Sequence, residues 1–199
     1  MEAMLDKNPL VLLELVERLG NLMRSELRKS GSDEAMQPVH LQALVYLSKA
    51  NRYSNTPQAL ADYLGLTKGT VSQTLLLLDR RGLIERFEDE IDRRVVRLRL
   101  SSAGERLLYE SQPALAWQNA TRNISPNRIR NATSALREAL ATLQEDNEGT
   151  VFGECSSCSW CQKLSQRIYR CGKMGDRISG PETRRICRIY EAKTAEDAA

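Results

Sequence analysis

Five cysteines stand near the C-terminal end of a 199-residue chain that has none before residue 155. They are Cys155, Cys158, Cys161, Cys171 and Cys187, spaced C-x2-C-x2-C-x9-C-x15-C in CSSCSWCQKLSQRIYRCG and RRICRIY. Two thiolates three positions apart hold their sulfurs at the separation that a tetrahedral ion or an iron–sulfur cluster requires. The two later cysteines can close such a site, and Gly172, Gly175 and Gly180-Pro181 allow the chain to fold back toward it. The segment from 151 to 192 has few large apolar residues, so a bound metal would supply folding free energy that it otherwise lacks. Five thiols for four positions leave one over. The set chosen as cofactor-binding and metal-ligating is Cys155, Cys158, Cys171 and Cys187, with Cys161 spare beside Trp160 in an apolar cover. The competing set is a tripod of Cys155, Cys158 and Cys161 with one remote ligand, although bacterial ferredoxin runs place the next cysteine sooner.

Thiolate softness admits both an iron–sulfur cluster and zinc. Trp160 and Tyr169 can shield a cluster from water, while Arg167, Arg170, Arg184, Arg185 and Arg188 can offset an anionic centre of either kind. The expected cofactor is an iron–sulfur cluster, [2Fe–2S] or [4Fe–4S]. A structural four-cysteine Zn2+ site is the alternative. The compartment bears on this choice. The start MEAMLDKNPLVLLELVERLG is interrupted by acids and lacks a small-residue cleavage site, so it does not read as a signal peptide. No apolar run reaches the roughly 20 residues of a membrane-spanning helix. The expected location is cytoplasmic, where thiols stay reduced and a disulfide framework is disfavoured.

The composition, 41% apolar and 28% charged, is that of an ordinary globular protein, and a net charge of +3 neither requires nor excludes nucleic acid. Leu12, Val16, Leu19, Met23 and Leu27 recur at steps of three and four, predicting one long helix over 8–29. HLQALVYLSKA predicts a second. Thr56 and Pro57 cap and open TPQALADYLGL, and Gly65 ends it; Thr67 caps TKGTVSQTLLLLDRRGL, and Gly82 ends that one. Two short helices around a Gly-containing turn form a helix-turn-helix over about 56–82. IERF and VVRLRL alternate apolar and polar residues around the charged EDEIDRR, which predicts a protruding β-hairpin over about 84–100. Ser101 caps SSAGERLLYESQPALAW, read as a single helix, and NISPNRIRNATSALREALATLQED is the last helix. EDNEGT reads as a linker and KTAEDAA as a frayed end.

The second helix of a helix-turn-helix lies in the major groove with its first residues at base edges. Here those residues are Thr67, Lys68, Thr70, Ser72, Gln73 and Thr74. Lys68 suits phosphate or guanine, Gln73 suits adenine, and the hydroxyls suit either bases or phosphates. Val71, Leu75 and Leu78 step by four and three and should face the core. Arg93 and Arg94 at the hairpin tip suit a phosphate backbone or a minor groove, and Asp92 is expected to orient one of them. Ordinary charged-turn chemistry is the competing reading, given Glu88, Asp89 and Glu90 beside them.

The run from LQALVYL through LTKGTVSQTLLLLDRRGLI and DRRVVRLRLSSAG resembles the MarR family of bacterial transcription regulators, over roughly residues 8–147. That resemblance implies a homodimer joined through its first and last helices, with two winged helices on a pseudo-palindromic stretch of double-stranded DNA. Members commonly sense lipophilic ligands or oxidise a cysteine; this chain has no cysteine in residues 1–154, so sensing is expected in the tail. The expected fold is mainly α with a small β-hairpin wing: a winged helix-turn-helix over 1–150, dimerising through its N- and C-terminal helices, plus a Cys-rich metal-bound segment over 151–199. The expected function is a DNA-binding transcriptional regulator, a repressor, whose iron–sulfur cluster senses redox state, oxygen or iron. The alternatives are a regulator with structural zinc and a small-molecule effector, or a redox or electron-transfer protein. Paired catalytic carboxylates, a nucleophile triad and a phosphate-cradling glycine loop are not found in the sequence, so no enzymatic activity is expected, and His40 is not assigned as a ligand.

Overall fold

The computed structural model describes residues 8–30, 36–111, 113–146 and 150–193. The start of the chain through residue 7, the centre of the predicted linker at 147–149 and the predicted frayed end from 194 onward lie outside the described residues.

The predicted helix starts and stops form as the cap residues require. Helix α1 spans Pro9–Ser30 and α2 spans Pro38–Lys49. At the head of α2, His40 Nδ1 accepts the Gln37 backbone N–H at 2.9 Å while the Gln37 side chain accepts the N–H of His40, a reciprocal cap. Helix α3, Pro57–Leu64, opens with Thr56 Oγ1 accepting the Ala59 N–H at 3.2 Å and closes on Gly65 at φ 63°. Helix α4, Lys68–Arg80, opens with Thr67 Oγ1 accepting the Thr70 N–H at 3.2 Å, and the chain leaves it through Gly82 at φ 65°. Val71, Leu75 and Leu78 face inward as predicted and pack with Leu41, Leu44, Tyr46, Leu60 and Leu98. Each such burial is worth about 1.5–3 kcal/mol.

Strands β1 (Ile84–Glu88) and β2 (Val96–Leu100) pair antiparallel, with Ile84 opposite Leu100 and Phe87 opposite Arg97. Only Ile84 of β1 is buried, whereas the alternation predicted a half-buried strand. The hairpin runs out past the core, so Phe87 is covered by the Arg99 guanidinium, 5.3 Å from its ring centre, rather than by other apolar groups. Asp89 ties the tip: Oδ1 accepts the N–H of Ile91 and of Asp92 at 3.0 Å each, and Oδ2 accepts Arg97 Nε at 2.7 Å. The Asp92 N–H, the Arg97 guanidinium and the Ile91 N–H together hold that carboxyl down at about 2.

Of the segment predicted as a single helix after Ser101, α5 (Ser102–Ser111) and α6 (Pro113–Thr121) are helical, and residue 112 between them lies outside the described residues. Helix α7 spans Pro126–Asp146. None of the helices among the described residues is long and apolar enough to cross a membrane.

The cysteine segment has more regular structure than its composition indicates. It forms β3 (Gly153–Glu154), a 3-10 turn at Cys155–Ser157, β4 (Cys161–Lys163), β5 (Ile168–Cys171), β6 (Arg177–Ser179), a second 3-10 turn at Pro181–Arg184 and β7 (Ile186–Cys187). Strands β4, β5 and β6 make an antiparallel meander, and β3 pairs with β7. Its small core is Cys155, Cys171, Cys187 and Ile178, with Tyr169, Ile189, Tyr190 and, from the helical lobe, Tyr53 packed against them. The sequence leaves these strands unread because strands of two to four residues carry no period.

His40 yields a pH prediction. Burial, and then the charge of Arg81, lower its pKa from the ordinary histidine value, so the folded protein keeps it neutral where the unfolded chain would protonate it. The unfolded state then binds more protons, and stability rises with pH through that window. The contribution is complete above about 6.5 and is lost as the pH falls below it. Urea midpoints measured at about pH 7 and pH 5.5 should therefore drop more for the wild type than for a His40→Gln variant. Equal drops would remove His40 from the acid sensitivity.

Candidate nucleic-acid interface and thiol centre

The chain turns tightly through its first three cysteines. The Cys158 N–H donates to the Cys155 carbonyl and the Cys161 N–H to the Cys158 carbonyl, both at 3.1 Å. Strand pairing then sets Cys161 directly opposite Cys171, and Gly153 opposite Cys187. The four thiols expected to be ligands are all buried, and Cys161 is half-buried. Cys155 and Cys187 share an S–H···S hydrogen bond. That bond, with donors from Asn51 and the Ile189 backbone, pushes the Cys187 thiol down to about 6, and the same bond together with burial pushes Cys155 well up. The pair therefore releases one proton readily and holds the second.

The donor set fits a thiophilic centre. Three buried sulfurs, those of Cys155, Cys171 and Cys187, gather in one small core with the half-buried Cys161 packed against it, and Cys158 is buried outside that cluster. N–H donors of Asn51 and Ile189 meet Cys155 and Cys187, as sulfurs that carry negative charge require. Among the described residues, no three His, Cys, Asp or Glu side chains are already grouped as an ion site. The fit therefore rests on donor type and burial. Trp160 caps the outer turn, with its Nε1 donating to Glu191 at 2.7 Å and its ring against Gly172, while Tyr169 packs on the thiols themselves. The arginines divide. Arg167, Arg170 and Arg184 stand exposed around the segment, but Arg185 donates to the Ala50 carbonyl and Arg188 to Asp62, so these two face the helical lobe rather than the sulfurs.

The residues expected to touch DNA fall into two hollows on either side of α4. Lys68 and Ser72 line a groove between α4 and the hairpin, together with Arg94. Thr70 and Gln73 line a second hollow, against Gln37 and His40 of the α2 end. Thr67 is exposed, with its hydroxyl engaged as the cap. Thr74 is a correction: it lies three residues after Val71 and four before Leu78 on the same inward face, so it is buried and reaches only the floor of this second hollow. Arg93 is exposed at the tip. Arg94 Nε meets Asp92 Oδ1 at 3.0 Å with its side chain 90% exposed, which is the orienting role expected of Asp92. Two cations of the first groove were missed. Arg86 comes from β1, held by Asp79 at 3.1 Å, and Arg188 from the cysteine segment. Strand alternation beside α4 could have flagged Arg86. Nothing local flags Arg188.

Residues 36–95 match the sequence profile of the MarR family. Taken with α3, α4 and the paired hairpin, that decides the fold of the lobe. It is a winged helix-turn-helix. The winged helix is similar to that in the crystal structure of the Staphylococcus aureus MepR–DNA complex, at 21% identity over 65% of this chain and 96% of that one, TM-score 0.53. It is similar also to CouR from Rhodococcus jostii bound to p-coumaroyl-CoA, at 19% identity over 63% and 88% of the two chains, TM-score 0.55. A MarR-family regulator from Silicibacter pomeroyi aligns at 22% identity over 64% and 86%, TM-score 0.56. No curated protein matches the chain. The profile match ends before the first cysteine.

The thiol centre is joined to the winged helix by a buried polar hub at residues 51–54. Asn51 Nδ2 reaches Cys155 Sγ at 3.6 Å, and Asn51 Oδ1 accepts from Ser54 Oγ at 2.7 Å and from the Tyr53 N–H at 3.0 Å. Ser54 Oγ in turn accepts the Arg188 N–H at 2.9 Å, and its carbonyl accepts Tyr46 Oη–H at 2.7 Å. The Asn51 N–H donates to the Ile186 carbonyl at 2.9 Å, and Phe152 packs edge-on against Tyr46 and Tyr63. The hub also holds the wing: Arg97 Nη1 donates to the Arg52 carbonyl at 2.5 Å, and the Leu98 N–H donates to the Asn55 carbonyl at 2.8 Å. Thr56, the cap of α3, follows immediately. The segment therefore touches the chain where the helix-turn-helix and the wing both begin.

Proposed function

We propose that this chain is a sequence-specific DNA-binding transcriptional regulator, acting as a homodimer, whose C-terminal thiols hold an iron–sulfur cluster through Cys155, Cys158, Cys171 and Cys187 and make binding respond to redox state, oxygen or iron. The observation that carries the DNA reading is the groove between α4 and the wing, where Lys68, Arg86 and Arg94 stand beside the Ser72 hydroxyl. Cations position a phosphate backbone, and polar side chains at the start of α4 read base edges. That a protein of the same fold, MepR, has been crystallised on DNA supports this use of the groove. The homodimer is supported by apolar side chains that the single chain leaves uncovered: Leu12, Val16 and Leu19 on α1 and Leu136, Leu140 and Leu143 on α7.

A bound cluster would supply one-electron and oxygen-sensitive chemistry. The chain's own residues do the rest. The four thiols hold the centre, Asn51 and the Ile189 N–H orient sulfurs, and Tyr169 and Tyr190 exclude water. Order in the segment reaches α3 and the wing through residues 51–54, so the state of the centre biases the population of binding-competent dimers.

The test begins with protein purified without oxygen, its visible spectrum, and iron, sulfide and zinc assayed on one sample. Matching iron and sulfide support the cluster; one zinc per chain with no iron sinks it in favour of a structural staple. Binding sites selected from a random duplex pool then test the regulator. Lys68→Ala should weaken the selected site about tenfold and flatten its salt dependence by about one charge. Affinity and slope equal to wild type would remove Lys68 from the interface.

A further inference from the structure

We propose that Arg188, supplied by the cysteine segment, is a DNA-backbone contact, so that the thiol centre contributes directly to the binding surface and does not act on it only from behind. The inference rests on the DNA-binding reading above. Arg188 lines the same groove as Lys68, Ser72, Arg86 and Arg94, although it lies more than 90 residues further along the chain than any of them. Its guanidinium is aimed by Asp62 of α3, which accepts Nη2 at 3.0 Å. Among the described residues this is the side chain's one hydrogen bond, so the Nε and Nη1 donors have no protein partner there and are available to a phosphate. Its side chain is 31% exposed, so it lines the groove and remains open to solvent.

The backbone at this point is fixed from both sides. The Arg188 N–H is tied to Ser54 Oγ, and the preceding residue is Cys187, whose sulfur is turned the opposite way into the thiol core. Successive side chains of an extended segment point to opposite faces, so one step of chain converts a sulfur in the centre into a cation in the groove. A centre that holds Cys187 therefore holds Arg188 at the DNA face.

The rival account is that Arg188 only anchors α3 through Asp62. Full-length Arg188→Gln, Arg188→Lys and Asp62→Asn variants, each checked for a native unfolding transition, separate the two. The probe is a mixed-sequence duplex of about 30 base pairs, titrated at several salt concentrations from about 0.05 to 0.2 M. If Arg188 meets phosphate, Arg188→Gln binds about tenfold more weakly with a slope shallower by about one charge. Arg188→Lys then keeps the slope, and so does Asp62→Asn, whose amide oxygen still accepts Nη2. If Arg188→Gln retains the wild-type slope, or if Asp62→Asn alone flattens it by the same one charge, the inference is overturned. Lys68→Ala is run beside them. A loss there with none in Arg188→Gln rejects the Arg188 contact and leaves the DNA reading standing. Salt-independent wild-type binding rejects both.

Discussion

Replacing Gly104 by alanine should destabilise the winged helix by about 3 kcal/mol, the upper end of what overpacking ordinarily costs. Gly104 sits in the first turn of α5 and is buried, and a Cβ built on it would lie 2.1 Å from the Leu83 carbonyl oxygen and 3.1 Å from its carbon. The obstacle is backbone, so no rotamer relieves it. That carbonyl cannot retreat easily, because it accepts the Ser101 N–H at 3.1 Å where the chain comes back from the wing. Ser101 Oγ donates to the Gly82 carbonyl and accepts the Gly104 N–H at 3.1 Å. Moving α5 outward would break this junction and loosen the base of the wing. For a chain of this length the cost corresponds to a fall in Tm of roughly 6–12 °C, read by circular dichroism. A Tm within about 2 °C of wild type would show that α5 does not approach Leu83 so closely.

The second large effect is expected from Cys187→Ser. Serine keeps the size but replaces a soft thiolate by a hard hydroxyl, a poor ligand for zinc or iron. It also replaces the readily ionised sulfur that bonds Cys155 and the Ile189 N–H by a hydroxyl that stays protonated. The variant should therefore come out without the proposed metal centre. Metal binding contributes on the order of 10 kcal/mol to folding in small four-ligand zinc sites, so the β4–β6 meander should lose most of its hold. Hydrogen exchange should show the Cys171 and Asn51 amides, bonded to Asp176 and Ile186 carbonyls, opening much faster. Cys161→Ser is the control. Its thiol is half-buried, and the variant should keep the metal. Full metal in Cys187→Ser, with loss in Cys161→Ser, would replace the ligand set by one that includes Cys161.

Much of the DNA-facing lobe was legible because its signals are local. Thr56, Pro57, Gly65, Thr67 and Gly82 act within one turn of themselves, and the step of Val71, Leu75 and Leu78 needs only the helical period. The same rule places Thr74 inward, between Val71 and Leu78. His40, not assigned as a ligand, caps Gln37, a role that depends on how the chain enters α2.

What the sequence determined by itself was therefore the winged helix, the wing's charged tip and the presence of a thiol-rich segment, since these follow from periods, caps and residue types. Only the tertiary structure decided where the cysteines go. Cys155 meets Asn51, 104 residues earlier in the chain, and Arg188 meets Asp62 across 126 residues. These pairings carry no period and no fixed spacing. They arise because Phe152 packs on Tyr46 and Tyr63, and Ile186 bridges to Ala50, so that burial of apolar surface and satisfaction of exposed backbone groups seat the segment beside the helix-turn-helix.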